Sequence, residues 1–228
     1  MKNIDESVKH LLQQVKEAAI AAGRDPKEVT VIGVSKTIEE NHVREAAAAG
    51  IANMGENYVQ ESLAKIQQLK NLPITWHFIG HLQRNKASHV ARRFDWVHTV
   101  DNLPLAEKLS TARKNLPQLN ICLQVNIDVD DNKHGLPREE ALELAQAVVS
   151  LPHLTLRGLM TIPRQGTRNS EPYRELAALR GEIELRCGIK LDTLSMGMSG
   201  DFKQAIAAGA THIRVGTAIF GKREQKNT

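Results

Sequence analysis

Val29-Thr-Val-Ile-Gly-Val34 is a run rich in β-branched residues, and together with residues 39–54 it decides the fold. Residues 39–49 read as a helix, Gly50 stops it, and Ile51-Ala-Asn-Met54 opens a second short strand. A strand, a helical crossover and another strand require parallel pairing, because parallel neighbours cannot be joined by a tight hairpin.

The same unit recurs on both sides. Upstream, Ile4, Val8, Leu11, Val15 and Ala18/Ala19 recur at helical spacing over residues 4–22, with Gly23 where a C-terminal cap belongs. Downstream come a helix over 56–70, then strands over 74–79, 95–100 and 120–127 with helices over 83–92, 103–114 and 138–150. A strand over 154–161 precedes a helix with Ser170 as N-cap and Tyr173, Leu176, Leu179 and Ile183 on one face. The rhythm ends with a strand over 191–196, a helix over 201–208 closed by Gly209, and a strand over 211–215. The tail after Ile219 supplies a short closing helix. Eight strands, all but the last followed by a helix of ordinary length, predict an α/β fold: a (β/α)8 TIM barrel with an extra N-terminal helix and no second β-domain. No Pro/Gly/Ser-rich linker divides the chain, so residues 1–228 are expected to form a single domain. The alternative, an open doubly wound sheet, lacks a G-x-G-x-x-G after its first strand.

Composition narrows the function. The chain has 228 residues, 41% of them hydrophobic, enough to bury a core without disulfides or metal and too many for intrinsic disorder. Its 30 basic and 26 acidic side chains leave a net charge of only +4, with no dense basic block and 4% aromatics, a weak basis for nucleic-acid binding. Cys122 and Cys187 form no CxxC pair, and Cys122 sits in an apolar run as a small hydrophobe. The N-terminus has no signal-like apolar region, and no stretch approaches the length of a membrane span. The expected compartment is the cytoplasm.

A barrel works at the C-terminal ends of its strands. Lys36 ends the first strand with the parity of Ile32 and Val34, so if those face inward the ammonium does too. A desolvated lysine becomes a nucleophilic amine, suited to a Schiff base with a carbonyl; the alternative is a lysine turned out to solvent. Met196-Gly-Met-Ser-Gly-Asp201 and Arg214-Val-Gly-Thr-Ala218 come after strands seven and eight, where barrel phosphate sites lie. Backbone amides there, with the Ser199 and Thr217 hydroxyls, suit an anion, unless the glycines serve only tight turns. A Schiff-base lysine opposite a phosphate nest fits pyridoxal 5′-phosphate. Arg214, which cannot give up its proton, would face the pyridine nitrogen and keep the ring a poor electron sink, or else pair with a rim carboxylate. His77 and His81 are four apart, but Gly80 breaks the helix a metal pair would need. Asp128, Asp130 and Asp131 lack the remaining calcium-loop ligands.

Trp76-His-Phe-Ile-Gly-His-Leu-Gln-Arg-Asn-Lys86 followed by Val90 resembles the signature segment of the pyridoxal phosphate homeostasis proteins, relatives of the alanine racemase barrel. Val34-Ser-Lys-Thr37, Gly55-Glu-Asn-Tyr-Val-Gln-Glu61, Arg157-Gly-Leu-Met160, Leu194-Ser-Met-Gly-Met-Ser199 and Arg214-Val-Gly-Thr-Ala-Ile-Phe-Gly221 extend the likeness along the chain. The resemblance implies a fold-type III barrel with pyridoxal phosphate on Lys36, its phosphate held by Ser199, Gly216 and Thr217, Arg214 at the ring nitrogen and Asn57 beside the ring. It implies a carrier or buffer of the cofactor that affects amino-acid and 2-oxo-acid balance, with no established enzymatic turnover. Lys133, in Asn132-Lys-His-Gly135, matches a loop lysine proposed in relatives to hand cofactor over, although His134 stands where Ser is frequent. In the signature segment, Gln83, Asn85 and Lys86 are expected to organise the rim.

Two other functions are compatible with the residues. One is a racemase-like enzyme with Lys36 on one face of the substrate and Tyr58 or His77 on the other. The second is a barrel that binds a phosphorylated metabolite or nucleic acid without covalent chemistry. The expected partners of a carrier are the cofactor and apo-enzymes that receive it, with no nucleic acid and no membrane, and an open rim suggests a monomer.

Overall fold

A computed structural model describes residues 3–130, 133–164 and 170–221. Eight parallel strands close into a barrel in sequence order. They are β1 (Thr30–Val34), β2 (Asn53–Glu56), β3 (Thr75–Phe78), β4 (Trp96–Val100), β5 (Leu119–Gln124), β6 (Leu154–Met160), β7 (Thr193–Met198) and β8 (His212–Val215). The crossovers carry α2 (Glu40–Ala48), α3 (Val59–Gln68), α4 (Ala87–Arg93), α5 (Leu103–Ala112), α6 (Ala141–Val149), α7 (Glu171–Cys187) and α8 (Phe202–Ala207), and α9 (Thr217–Phe220) comes after β8. Closure is made by β1 and β8, with Thr30 opposite His212 and Ile32 opposite Arg214.

The added N-terminal helix, α1 (Ile4–Ala21), begins with Asn3 accepting the Glu6 amide at 3.2 Å and buries Val8, Leu11, Val15 and Ala19. Each of the larger aliphatics removed from water contributes about 1.5–3 kcal/mol. The helix lies against α2, α8 and α9. Arg24, just beyond it, donates to the carbonyls of Ile206 and Ala210 at 3.0 and 2.7 Å. The main core is the apolar shell between strands and helices, in which Phe78 and Phe94 meet edge to face.

The element order matches the sequence reading, and several boundaries move. The expected strand over 51–54 lies at Asn53–Glu56, because Ile51 instead closes α2 by donating its amide to Ala46 O at 3.0 Å. The strand expected over 191–196 lies at Thr193–Met198, since the Leu191 amide is taken by Glu184 Oε1 at 2.7 Å. β5 ends at Gln124: the Val125 amide still donates to Met160 O at 2.8 Å, but the Gln124 carbonyl and the Asn126 amide are taken by Leu136. Ser170 occupies the N-cap position of α7, but its side chain makes no capping bond; its carbonyl accepts the Arg174 amide at 3.0 Å instead. The closing helix forms earlier than expected, at Thr217–Phe220, and the tail from 222 lies outside the described residues.

Candidate functional site at the barrel mouth

The expected site residues come from the C-terminal ends of four contiguous strands. Lys36 lies just past β1, Asn57 just past β2, Ser199 just past β7, Arg214 within β8, and Gly216 and Thr217 beyond its end. Since β7 pairs with β8, β8 with β1 and β1 with β2, closure brings these residues to one side of the mouth. The premise of the parity argument is met within β1, where Ile32 faces into the barrel. Ile32 stands opposite Asn53 and Arg214, both of which bond inside the barrel, and its Cγ2 lies 2.8 Å from where a Cβ on Gly55 would be. Lys36 is half-buried in the turn beyond, next to Thr37 at φ 61°.

The segment after β7 is built by its own hydrogen bonds. Gly197 sits at φ 91°, where a Cβ would come within 2.5 Å of the Ala205 methyl, so only glycine fits. The β7–β8 register shifts between Ser195 and Met198, a bulge that redirects Met198 and Ser199 at the rim. Asp201 Oδ1 accepts the Met198 amide at 2.6 Å, and Tyr173 from α7 donates its hydroxyl to Asp201 Oδ2 at 2.8 Å. Burial and the Asp201 carboxylate push the Tyr173 phenol well above its ordinary value, so it stays protonated and donating. Among the described residues, the amides of Ser199, Gly200 and Thr217 meet no acceptor. Together with two hydroxyls they form a set of neutral donors at the rim. α8 and α9 are too short for a substantial helix dipole, so an anion at this rim would be met by the individual donors.

Arg214 is 4% exposed and has no carboxylate partner among the described residues, which removes the rim ion pair as its role. Burial lowers its pKa to about 10, leaving it charged at neutral pH. It donates to Ser195 Oγ and to Thr161 O, both at 2.8 Å. From Ser195 a hydrogen-bonded chain crosses the barrel: Ser195 Oγ to His98 Nδ1 at 2.8 Å, His98 Nε2 to His77 Nδ1 at 2.9 Å, and His77 Nε2 to Asn53 Oδ1 at 3.0 Å. Arginine only donates, so Ser195 accepts from it and passes its own proton to His98. His98 then donates to His77, which donates to Asn53, and every atom of the chain is satisfied with both imidazoles neutral. Burial, with neighbouring histidines, holds both rings well below the usual histidine range.

The residues fit a phosphate-bearing aromatic aldehyde. Besides the donor set and Lys36, Asn57 Oδ1 is a buried acceptor with no partner, and Asn57 lines a mouth cavity of about 220 Å³ with Gly80, Thr99 and Gln124.

Residues 6–224 match the alanine racemase N-terminal domain family. Over 225 residues the chain is 48% identical to the pyridoxal phosphate homeostasis protein of Pseudomonas aeruginosa, covering 98% of this chain and 97% of that one. The protein of the same name from Escherichia coli K12 is 44% identical over 233 residues, covering 98% of each chain. The chain belongs to the pyridoxal phosphate homeostasis protein family. PipY of Synechococcus elongatus, solved with PLP bound, superposes with a TM-score of 0.80 at 36% identity, covering 91% of this chain and all of that one.

In this family member the structure also accounts for residues that the sequence left without a role. In the signature segment, Gly80 passes so close to Asn57 that a Cβ would lie 2.2 Å from the Asn57 carbonyl oxygen, while Thr99 Oγ1 holds the Gly80 carbonyl at 2.7 Å. Gly80 therefore sets the position of Asn57. His77 and His81 separate: His77 belongs to the interior chain, and His81 stacks on His134 at the rim with centroids 3.7 Å apart. Among the described residues there is no group of three or more potential metal-ligating side chains. Lys133 is tied to Ile162 O at 3.1 Å and lies 3.6 Å from Asp130. Asp128 accepts the Arg164 amide, Asp130 pairs with Arg164, and Asp131 and Asn132 lie outside the described residues. The interior relay and the Tyr173–Asp201 prop went unread in the sequence. For the relay the signal was polar residues inside strands, whose pairing depends on barrel closure.

Proposed function

We propose that this chain binds pyridoxal 5′-phosphate at the barrel mouth, linked to Lys36, and carries or buffers the cofactor without turning over amino acids. The observation that carries this reading is the convergence of Lys36, Asn57, the Ser199–Thr217 donor set and Arg214 on four contiguous strand ends, in a family whose member PipY was solved with PLP. Bound there, the cofactor would supply an aldehyde, and Lys36 would supply the amine able to condense with it, water being the other product. Ser199, Gly216 and Thr217 hold the phosphate through neutral donors. Asn57 Oδ1 would accept a hydrogen bond from a donor on the ring. Arg214 faces the ring nitrogen and, remaining charged, gives it a hydrogen bond without a proton.

A racemase needs a second acid–base group opposite Lys36. His77 has both ring nitrogens engaged, to Asn53 and His98, and Tyr173 has its hydroxyl committed to Asp201. Tyr58 is 56% exposed at the start of α3, and its hydroxyl has no hydrogen-bond partner among the described residues. These constraints support a carrier. The expected partners are apo-enzymes that accept the cofactor, and residues 1–228 act as one monomeric unit in the cytoplasm. Supporting the last point, Cys122 and Cys187 are free thiols, and among the described residues no helix is long and apolar enough to cross a membrane.

Hydrogen exchange at Cα of amino acids in deuterated water tests the absence of turnover. The loaded protein is expected to show none at enzymatic rates, on the order of 1 s⁻¹ or faster. Exchange at such a rate, abolished by Lys36→Ala, would make it an enzyme. Sedimentation as a stable dimer at low concentration would refute the monomer.

A further inference from the structure

Behind Lys36 lies a buried ion cluster that holds no part of the proposed cofactor. Lys65 of α3 is 3% exposed, and its ammonium makes three hydrogen bonds: to Ser35 O at 2.6 Å, Glu56 Oε1 at 2.7 Å and Glu61 Oε1 at 3.0 Å. Glu56 Oε1 also accepts the Ser35 hydroxyl at 2.7 Å, and Glu61 Oε1 accepts the Thr37 amide at 2.6 Å. All these bonds converge on the two residues that flank Lys36. On one side Ser35 is held by its carbonyl, its hydroxyl and its amide, the last donating to Gly55 O at 2.9 Å. On the other, Thr37 is held at φ 61°, a backbone conformation that is strained for a β-branched residue and needs outside restraint.

The cluster is a poor device for stability. Two charges taken out of water rarely gain more from each other than they lose in hydration, and an apolar pair of similar volume packs as well or better. Here the deficit is visible: Glu56 is fully buried, and its Oε2 has no partner. What an apolar pair cannot supply is directional restraint of a carbonyl, a hydroxyl and an amide. We propose that Glu56, Lys65 and Glu61 are positioning residues for Lys36, fixing the backbone on both sides of it so that its amine is presented to the cofactor at the mouth. This inference rests on the linkage of the cofactor to Lys36.

The test uses full-length protein loaded with pyridoxal phosphate. Glu61→Ala releases the Thr37 amide and leaves the buried Glu56–Lys65 pair intact; Glu61→Gln keeps an acceptor. A double variant, Lys65→Met with Glu56→Gln, removes both buried charges together. Glu61→Ala is expected to melt within a few degrees of the parent yet release cofactor about ten-fold faster, the scale of one lost charge-assisted hydrogen bond. Its visible circular-dichroism band should weaken because the linked ring is less fixed, and Glu61→Gln should restore most of both properties. The double variant should release cofactor faster while melting no lower than the parent. A folded Glu61→Ala that releases cofactor at the parental rate with an undiminished band overturns the proposal, whatever the double variant does. If borohydride reduction of the parent leaves no pyridoxyl mass on the Lys36 peptide, the linkage itself fails, an outcome distinct from a linked parent with unaffected variants.

Discussion

The two faces of the same eight strands are built differently. Outward residues such as Val31, Val97, Ile121, Leu159, Leu194 and Ile213 pack into a continuous apolar shell under the helices. Inward, Asn53, His77, His98, Ser195 and Arg214 form one directional hydrogen-bonded chain, with Ile32 and a small apolar cluster of Trp96, Cys122 and Met160 beside it. The shell depends on burial, which is non-directional and tolerates exchange of one aliphatic for another. The interior depends on each atom having one partner in one orientation, so a single missing link strands two groups. The shell makes a barrel; the interior makes this barrel's mouth.

Acid should separate the two faces most strongly. His77 and His98 are held well below 6.5 by burial, so the unfolded chain binds protons that the native one refuses. Stability is therefore complete above pH 6.5 and falls as the pH drops below it, by up to about 1.4 kcal/mol per pH unit for each ring and about 3 for the two. His212, lowered to about 4 chiefly by burial, adds to the loss down to that pH. Urea midpoints between pH 7 and pH 5 measure this; a flat profile would contradict neutral buried rings.

Phe94→Ala probes the shell. Phe94 is fully buried against Phe78, and truncation should cost about 3–5 kcal/mol in denaturant unfolding while leaving cofactor affinity of the folded fraction unchanged. Ser195→Ala probes the interior, removing the acceptor for Arg214 and the donor to His98. About 1–3 kcal/mol of stability should be lost, and here cofactor affinity should fall as well, since Arg214 loses a support. Equal affinity in Ser195→Ala and Phe94→Ala, by equilibrium titration, would erase the distinction. Tyr173→Phe, which frees Asp201 Oδ2, should cost about 1 kcal/mol and mildly weaken phosphate retention.

These contrasts explain what could be read in advance. The alternation of strands and helices was legible because each strand is a short apolar run between helical periods. The two strands that slipped, β2 and β7, did so where Ile51 and Leu191 looked like strand residues but serve helix ends and loops through their amides. The candidate site residues could be picked from the strand ends because barrels place function there. The interior chain was not, since His98 and Ser195 are 97 residues apart and meet only once the barrel closes. The Glu61–Lys65 pair, four apart on α3, was not read either, and Glu56 and Ser35 join it only through docking of α3 on β1 and β2.

Reduction of the purified, cofactor-loaded protein with borohydride and then peptide mass mapping tests the central claim most directly. The account predicts one pyridoxyl-phosphate adduct, on the peptide that contains Lys36, and its loss in Lys36→Ala. An unmodified Lys36 peptide, or the adduct on another lysine such as Lys133, would contradict it.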